Sequence, residues 1–226
     1  MELGKAQSTT WGQRALTVAD HVWFALQVQA LWALGALAGG LVLGWTPATA
    51  AAASVARDHE RGVGGSMTTR FARVWREQFV RSNMAGAPYA LLAAMAGSNV
   101  LLVPPSNTTL AAASWAGAVL VAGALSWFGP VAAHYEVSPV RHALSAIRLV
   151  AQRPFPTLVM LLAAAALAWL STWSPAVLVF FAIGAWLTIC THVALGTFAE
   201  NEERLVDGPP QASLASILPS RPLDTH

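Results

Sequence analysis

One lysine, one cysteine and two tyrosines stand among 226 residues, and each scarcity rules something out. The lone Cys190 excludes an intrachain disulfide and any multi-cysteine metal site. Set inside an apolar stretch, it reads as a small buried residue. Charged residues make up 11% of the chain, against roughly 25% in a soluble globular domain. There is no basic patch on a soluble fold, so nucleic acid is not an expected partner. The signatures of hydrolytic and metal chemistry are missing too: no H-E-x-x-H, no G-x-S-x-G, and no paired carboxylates facing the membrane. His59, His134 and His142 show no ligand spacing. Gly62 to Ser66 (GVGGS) lacks the lysine of a phosphate loop and reads as a flexible linker. No catalytic residue, metal or cofactor is expected, and the chain is not expected to be an enzyme.

What the sequence has instead is long apolar runs, at about Val22–Leu43, Met84–Val103, Leu110–Ala133, Phe155–Leu170 and Ala176–Thr197. Most approach the ~20 residues that span ~30 Å of hydrocarbon as helix. The fold class is therefore all-α, a polytopic membrane helix bundle of five transmembrane helices forming a single domain over residues 1–199. Residues 200–226, acidic and then Pro- and Ser-rich, are expected to be a largely disordered cytoplasmic tail.

The arginines are divided unevenly between the gaps. Arg57, Arg61, Arg70, Arg73, Arg76 and Arg81 follow the first run, and Arg141, Arg148 and Arg153 follow the third. The gaps 104–109 and 171–175 hold neither Lys nor Arg. The positive-inside rule then puts the basic gaps in the cytoplasm, the N-terminus outside and the C-terminus inside. Asp20 and His21 fall at the outer boundary on this reading, and Trp45 and Trp127 near the inner interface. Ala48-Thr49-Ala50 has the form of a signal-peptide cleavage site. The run before it is longer than a signal core, and cleavage would leave six arginines outside.

Two basic amphipathic helices are predicted on the cytoplasmic side, at 67–83 and 139–153. In the first, Met67, Phe71, Val74, Trp75 and Phe79 share one arc, while Arg70, Arg73, Arg76 and Arg81 take the other. In the second, Val140, Leu144, Ile147 and Val150 oppose Arg141 and Arg148, and Pro154 and Pro156 follow Arg153. Such helices lie in the interface with Arg toward anionic lipid, or present Phe71, Arg73, Trp75, Arg76, Phe79, Arg81, Arg141, Arg148 and Arg153 to a partner. Pro-containing exits at Gly44–Ala48 and Trp127–Val131 hint at a duplication, which any hairpin protein obeying positive-inside would mimic.

The span centres carry no Asp, Glu, Lys or Arg. Their polar residues are Gln27, Gln29, Asn99 and His192, which interhelical hydrogen bonding accounts for. Gln27 and Gln29 point about 200° apart. Gln27 is the candidate pathway residue of a small homo-oligomeric transporter.

Gly44-Trp45-Thr46-Pro47-Ala48-Thr49-Ala50 and the following Val55-Ala56-Arg57, with Phe71-Ala72-Arg73-Val74-Trp75-Arg76-Glu77-Gln78-Phe79 and the Ala143–Pro154 stretch, resemble the YesL family of small bacterial integral membrane proteins. The resemblance implies a turn at Pro47, Ala48 and Thr49 after the first span. It also implies a non-catalytic accessory role beside a carbohydrate uptake system, with a sugar importer permease as partner.

Overall fold

The computed structural model describes the backbone of residues 3–104, 106–134 and 139–206, and the side chains of 11–104, 106–134 and 144–199. Among the described residues there are helices and connecting turns, and no strand. The helices are α1 (Leu3–Ala38), α2 (Trp45–Glu60), α3 (Met67–Leu102), α4 (Thr108–His134), α5 (Pro139–Gln152) and α6 (Pro154–Trp173). The last, α7, covers 175–206 and is π-helical over Leu178–Ala182. Five helices are long and apolar enough to cross a membrane: Trp11–Ala38, Met67–Leu102, Thr108–His134, Pro154–Trp173 and Pro175–Ala199. These correspond to the five runs read from sequence. The chain is a multi-pass membrane protein by this measure.

The first correction concerns residues 39–60. The first apolar run does not continue as helix to Leu43. Helix α1 stops at Ala38 with a paired cap, in which Leu41 N–H donates to Ala36 O at 2.7 Å and Gly40 N–H donates to Leu37 O at 3.0 Å. Gly40 supplies the left-handed conformation (φ +70°) that this closure needs. The chain then enters α2, where a turn followed by a polar linker was expected. Pro47 does not break this helix because it lies in the first turn, where its missing N–H would have had no helical partner. The alanines that follow are the strongest helix formers.

Helix α2 is the centre of the molecule. It packs against α1, α3, α4 and α7, and every residue from Thr46 to Ala56 is buried. A helix buried all round shows no amphipathic period, which is why its pattern is silent. Its small side chains let neighbours approach closely. A Cβ on Gly129 of α4 would lie 3.2 Å from Ala53 Cβ, and one on Gly35 of α1 would lie 3.2 Å from Ala48 Cβ.

The second correction concerns α3. No break separates the basic amphipathic segment from the second span; one helix of 36 residues runs through both, with Pro88 inside it. Proline is tolerated in membrane helices because neighbouring groups satisfy the freed backbone. At 1.5 Å per residue α3 is roughly 54 Å long against ~30 Å of hydrocarbon; its arginine-bearing half lies along α1 and α2 as far as their turn, where Asn83 Nδ2 donates to Leu43 O at 2.9 Å. Ser66 caps its start, accepting from Thr69 N–H at 3.5 Å.

Trp127 is a core residue rather than an interfacial one. It is fully buried and donates its indole N–H to Thr157 Oγ1 of α6 at 2.9 Å. The two Pro-containing segments also differ: Pro47 opens α2, whereas Pro130 sits within α4. They are not equivalent exits of a repeated unit.

Candidate functional site

Helices α1 and α2 run antiparallel. Gly35 faces Ala48, Trp32 Nε1 donates to Thr49 Oγ1 at 3.0 Å, and Phe24 stacks on His59 with ring centroids 3.8 Å apart. Helix α3 returns along α2, with Arg70 Nη1 donating to Asp58 Oδ2 at 2.9 Å and Thr46 Oγ1 to Asn83 Oδ1 at 2.8 Å. These two reversals bring the N-terminal part of α1, the C-terminal end of α2 and the start of α3 together. Between them lies a cavity of about 560 Å³ lined by Asp20, His21, Gln27, Asp58, His59 and Arg70, among others. A second cavity of about 460 Å³ lies on the far side of the Phe24–His59 stack, between α1 and α7.

The charges at this end are mostly paired. Asp58 lies between Arg70 at 2.9 Å and Arg57 at 3.3 Å. Arg57 also donates to the carbonyl of Ala133 at the end of α4. Glu60 Oε2 accepts from His192 Nδ1 of α7 at 3.2 Å. Asp20, Phe24 and Gln27 lie at i, i+4 and i+7 on one face of α1. Gln29 is turned away from that face and buried against α7. Among the described residues no group of three His, Cys, Asp or Glu could hold a metal ion.

Asp20 and His21 therefore share a cavity wall with Asp58, His59 and Arg70. Asp20 and His21, expected outside, and Asp58 and Arg70, expected inside, thus line the same cavity.

The other sequence-derived residues fall in several places. Pro47, Ala48 and Thr49 form the first turn of α2 and are buried; Thr49 Oγ1 donates to Trp45 O at 2.7 Å. Phe71 is buried in the cluster formed by α1, α2 and α3, so it neither inserts into lipid nor is free for a partner. Trp75 and Phe79 are half-buried, ring edge against ring face at 5.0 Å. Arg73, Arg76 and Arg81 are exposed. Arg148 is exposed and Arg153 half-buried, both lining a cleft of about 250 Å³ between α5 and the end of α7. The side chain of Arg141 and the tail beyond residue 206 lie outside the described residues. Gln27 is half-buried in the larger cavity. His192 pairs with Glu60, and Asn99 is exposed. Sequence reasoning missed Asp58, Glu60 and His59 as a group, because they cap a helix it did not recognise.

Residues 25–100 match the model of a family described as "Protein of unknown function, DUF624". The matched region takes in the C-terminal part of α1, all of α2 and nearly all of α3. The chain is 26% identical over 178 residues to the "Uncharacterized protein YesV" of Bacillus subtilis (strain 168), covering 76% of this chain and 85% of that protein. No solved structure matches.

Proposed function

We propose that this chain is a YesL-type, non-catalytic accessory protein of the bacterial cytoplasmic membrane, serving a carbohydrate uptake system through contact with an importer permease. The observation that carries the reading is the use of α3. Its aromatic face is directed into the bundle at Phe71, while Arg73 and Arg76 are left outward. The surface offered to a partner is then the arginine face, suited to an acidic segment at the membrane boundary. A pull-down of the tagged chain from its native membrane in mild detergent tests this. Stoichiometric recovery of a permease that is lost on Arg73→Glu with Arg76→Glu supports the reading; recovery of the chain alone sinks it.

Orientation belongs to the same proposal. The α1–α2 hairpin returns the chain to the side from which α1 starts. Arg57, Arg61 and Arg70 then lie on the side of Lys5 and Arg14, and the turn at 39–44 carries no charge. With this pairing the positive-inside rule puts both the N-terminal segment and the end of α7 in the cytoplasm.

A second reading, a small homo-oligomeric transporter of a polar solute, draws on the position of Gln27 in the larger cavity. Uptake into liposomes by the purified chain, diminished by Gln27→Leu, supports it. Uptake indifferent to the substitution removes Gln27 from the pathway.

A further inference from the structure

The smaller cavity is a groove between two membrane helices. Its walls are two apolar stripes. Val18, Val22 and Ala25 lie at i, i+4 and i+7 on α1, and Phe181, Ala185 and Ile189 at i, i+4 and i+8 on α7. Each stripe is about two helical turns, or roughly 10 Å, long. Its polar lining is His21, His59, Glu60 and His192 with the hydroxyls of Thr17 and Thr188, and the C-terminal end of α2 with Glu60 marks its mouth.

A groove between two membrane-crossing helices that stayed empty would lose dispersion contacts along its lining. The mouth indicates the occupant. His21 Nδ1 lies 2.7 Å from Thr17 O. A carbonyl only accepts, so Nδ1 carries the proton and Nε2 of the neutral ring is an acceptor. His192 Nδ1 likewise faces the Glu60 carboxylate at 3.2 Å, which leaves its Nε2 as an acceptor in the neutral ring. The groove therefore sets one carboxylate among the imidazoles of His21, His59 and His192, and no Lys or Arg lines it. An anionic headgroup finds no fixed cation there. A quaternary ammonium has no N–H to give. A primary ammonium brings three donors and a positive charge.

We infer that the α1–α7 groove seats one phospholipid bearing a primary amine, with its ammonium at Glu60, His21 and His192 and an acyl chain along Val22, Ala25, Phe181 and Ala185. The inference rests on the membrane setting of the bundle and is independent of whether a permease partner exists.

Native mass spectrometry of the delipidated full-length chain tests it. Dioleoyl-phosphatidylethanolamine, -phosphatidylcholine and -phosphatidylglycerol are offered separately at equal concentration. The expected result is one phosphatidylethanolamine per chain, retained about tenfold better than either other lipid, a difference of about 1.4 kcal/mol. Glu60→Gln is expected to remove that preference, and Ala185→Phe, which fills the groove, to remove all three lipids. If Ala185→Phe does not fold, the headgroup comparison and Glu60→Gln decide. Equal retention of the three lipids by the unaltered chain overturns the inference, as does a preference that survives Glu60→Gln. A lipid-free dimer that Ala185→Phe dissociates also overturns it, because the groove is then filled by a second copy.

Discussion

Gln29 of α1 accepts a hydrogen bond on its Oε1 from the backbone N–H of Gly184 in α7, at 2.7 Å. The other end of the same amide, Nε2, donates to Val179 O at 2.9 Å. Val179 and Gly184 are five residues apart, the spacing of a π-helical hydrogen bond, and they flank the end of the π-helical turn Leu178–Ala182. The side chain thus bridges the wide ladder step where α7 departs from α-helical geometry. Replacing Gln29 by Leu is expected to lower stability by about 1–3 kcal/mol, because it leaves buried backbone groups without their partner. Gln27→Leu, one turn face away, is expected to change it by less than about 0.5 kcal/mol. Thermal unfolding in detergent followed by tryptophan fluorescence distinguishes the two; equal losses would show that the bridge contributes nothing special.

Gly184 meets a steric demand at the same crossing. A Cβ there would lie 2.3 Å from Ala25 O and 2.7 Å from Gln29 N, both backbone atoms that cannot step aside. Gly184→Ala should push α1 off α7 and lower the unfolding midpoint. Gly97→Ala and Gly117→Ala meet nothing within 4 Å and should be neutral, or stabilise by about 0.5–1 kcal/mol through helix propensity. A midpoint for Gly184→Ala at or above that of these controls would contradict the packing.

Three tryptophans offer an internal comparison. Trp127 Nε1 donates to Thr157 Oγ1, whereas Trp75 Nε1 and Trp186 Nε1 are buried without a partner. Trp127→Phe should cost about 1–3 kcal/mol more than area alone predicts. Trp75→Phe and Trp186→Phe remove an N–H that gains nothing from the fold, and their cost is expected to be limited to lost contact area. Chemical denaturation in detergent at a fixed detergent concentration gives the three values side by side.

The single cysteine makes sidedness measurable without a cysteine-free background. Cys190 is fully buried, so maleimide labelling of the folded chain should be negligible and should appear on unfolding. Cysteines introduced at Gly12 and Gly64, both in open space, should then label from the same side of sealed vesicles. A cysteine at Ser106, on the α3–α4 connection, should label from the other. Labelling of Gly12→Cys and Gly64→Cys from opposite sides would restore the orientation that the arginine distribution alone implied.

The spans were legible because a lipid-facing helix must be apolar over most of its surface, and composition records that directly. Helix α2 was not, for reasons visible in its residues. It is too short to resemble a span, Pro47 mimics a break, and burial on every side removes the amphipathic period. The apolar face of α3 reads as a stripe, but a stripe does not reveal its destination. Phe71 has the same spacing whether it meets lipid or the α1–α2 hairpin, and sequence periodicity does not distinguish the two. The arginine bias had the same weakness. It reports which loops share a side only if every reversal is counted, and the uncharged turn at 39–44 gave no sign of one. Helical angle separates Gln27 from Gln29, yet only the crossing with α7 shows which of them bridges two helices.

A membrane chain emerges from synthesis N-terminus first, and α2 is made before three of the four helices that enclose it. Eleven consecutive buried residues of α2, Thr46 to Ala56, offer no face suited to lipid or to water. Until α3, α4 and α7 arrive, this segment has no finished seat. The final walls are supplied by α7, from the far end of the described chain. Assembly therefore cannot finish helix by helix in the order of synthesis. A transcript ending before α7 would leave its earliest hairpin exposed, giving the cell's proteases a direct means of recognising an incomplete product.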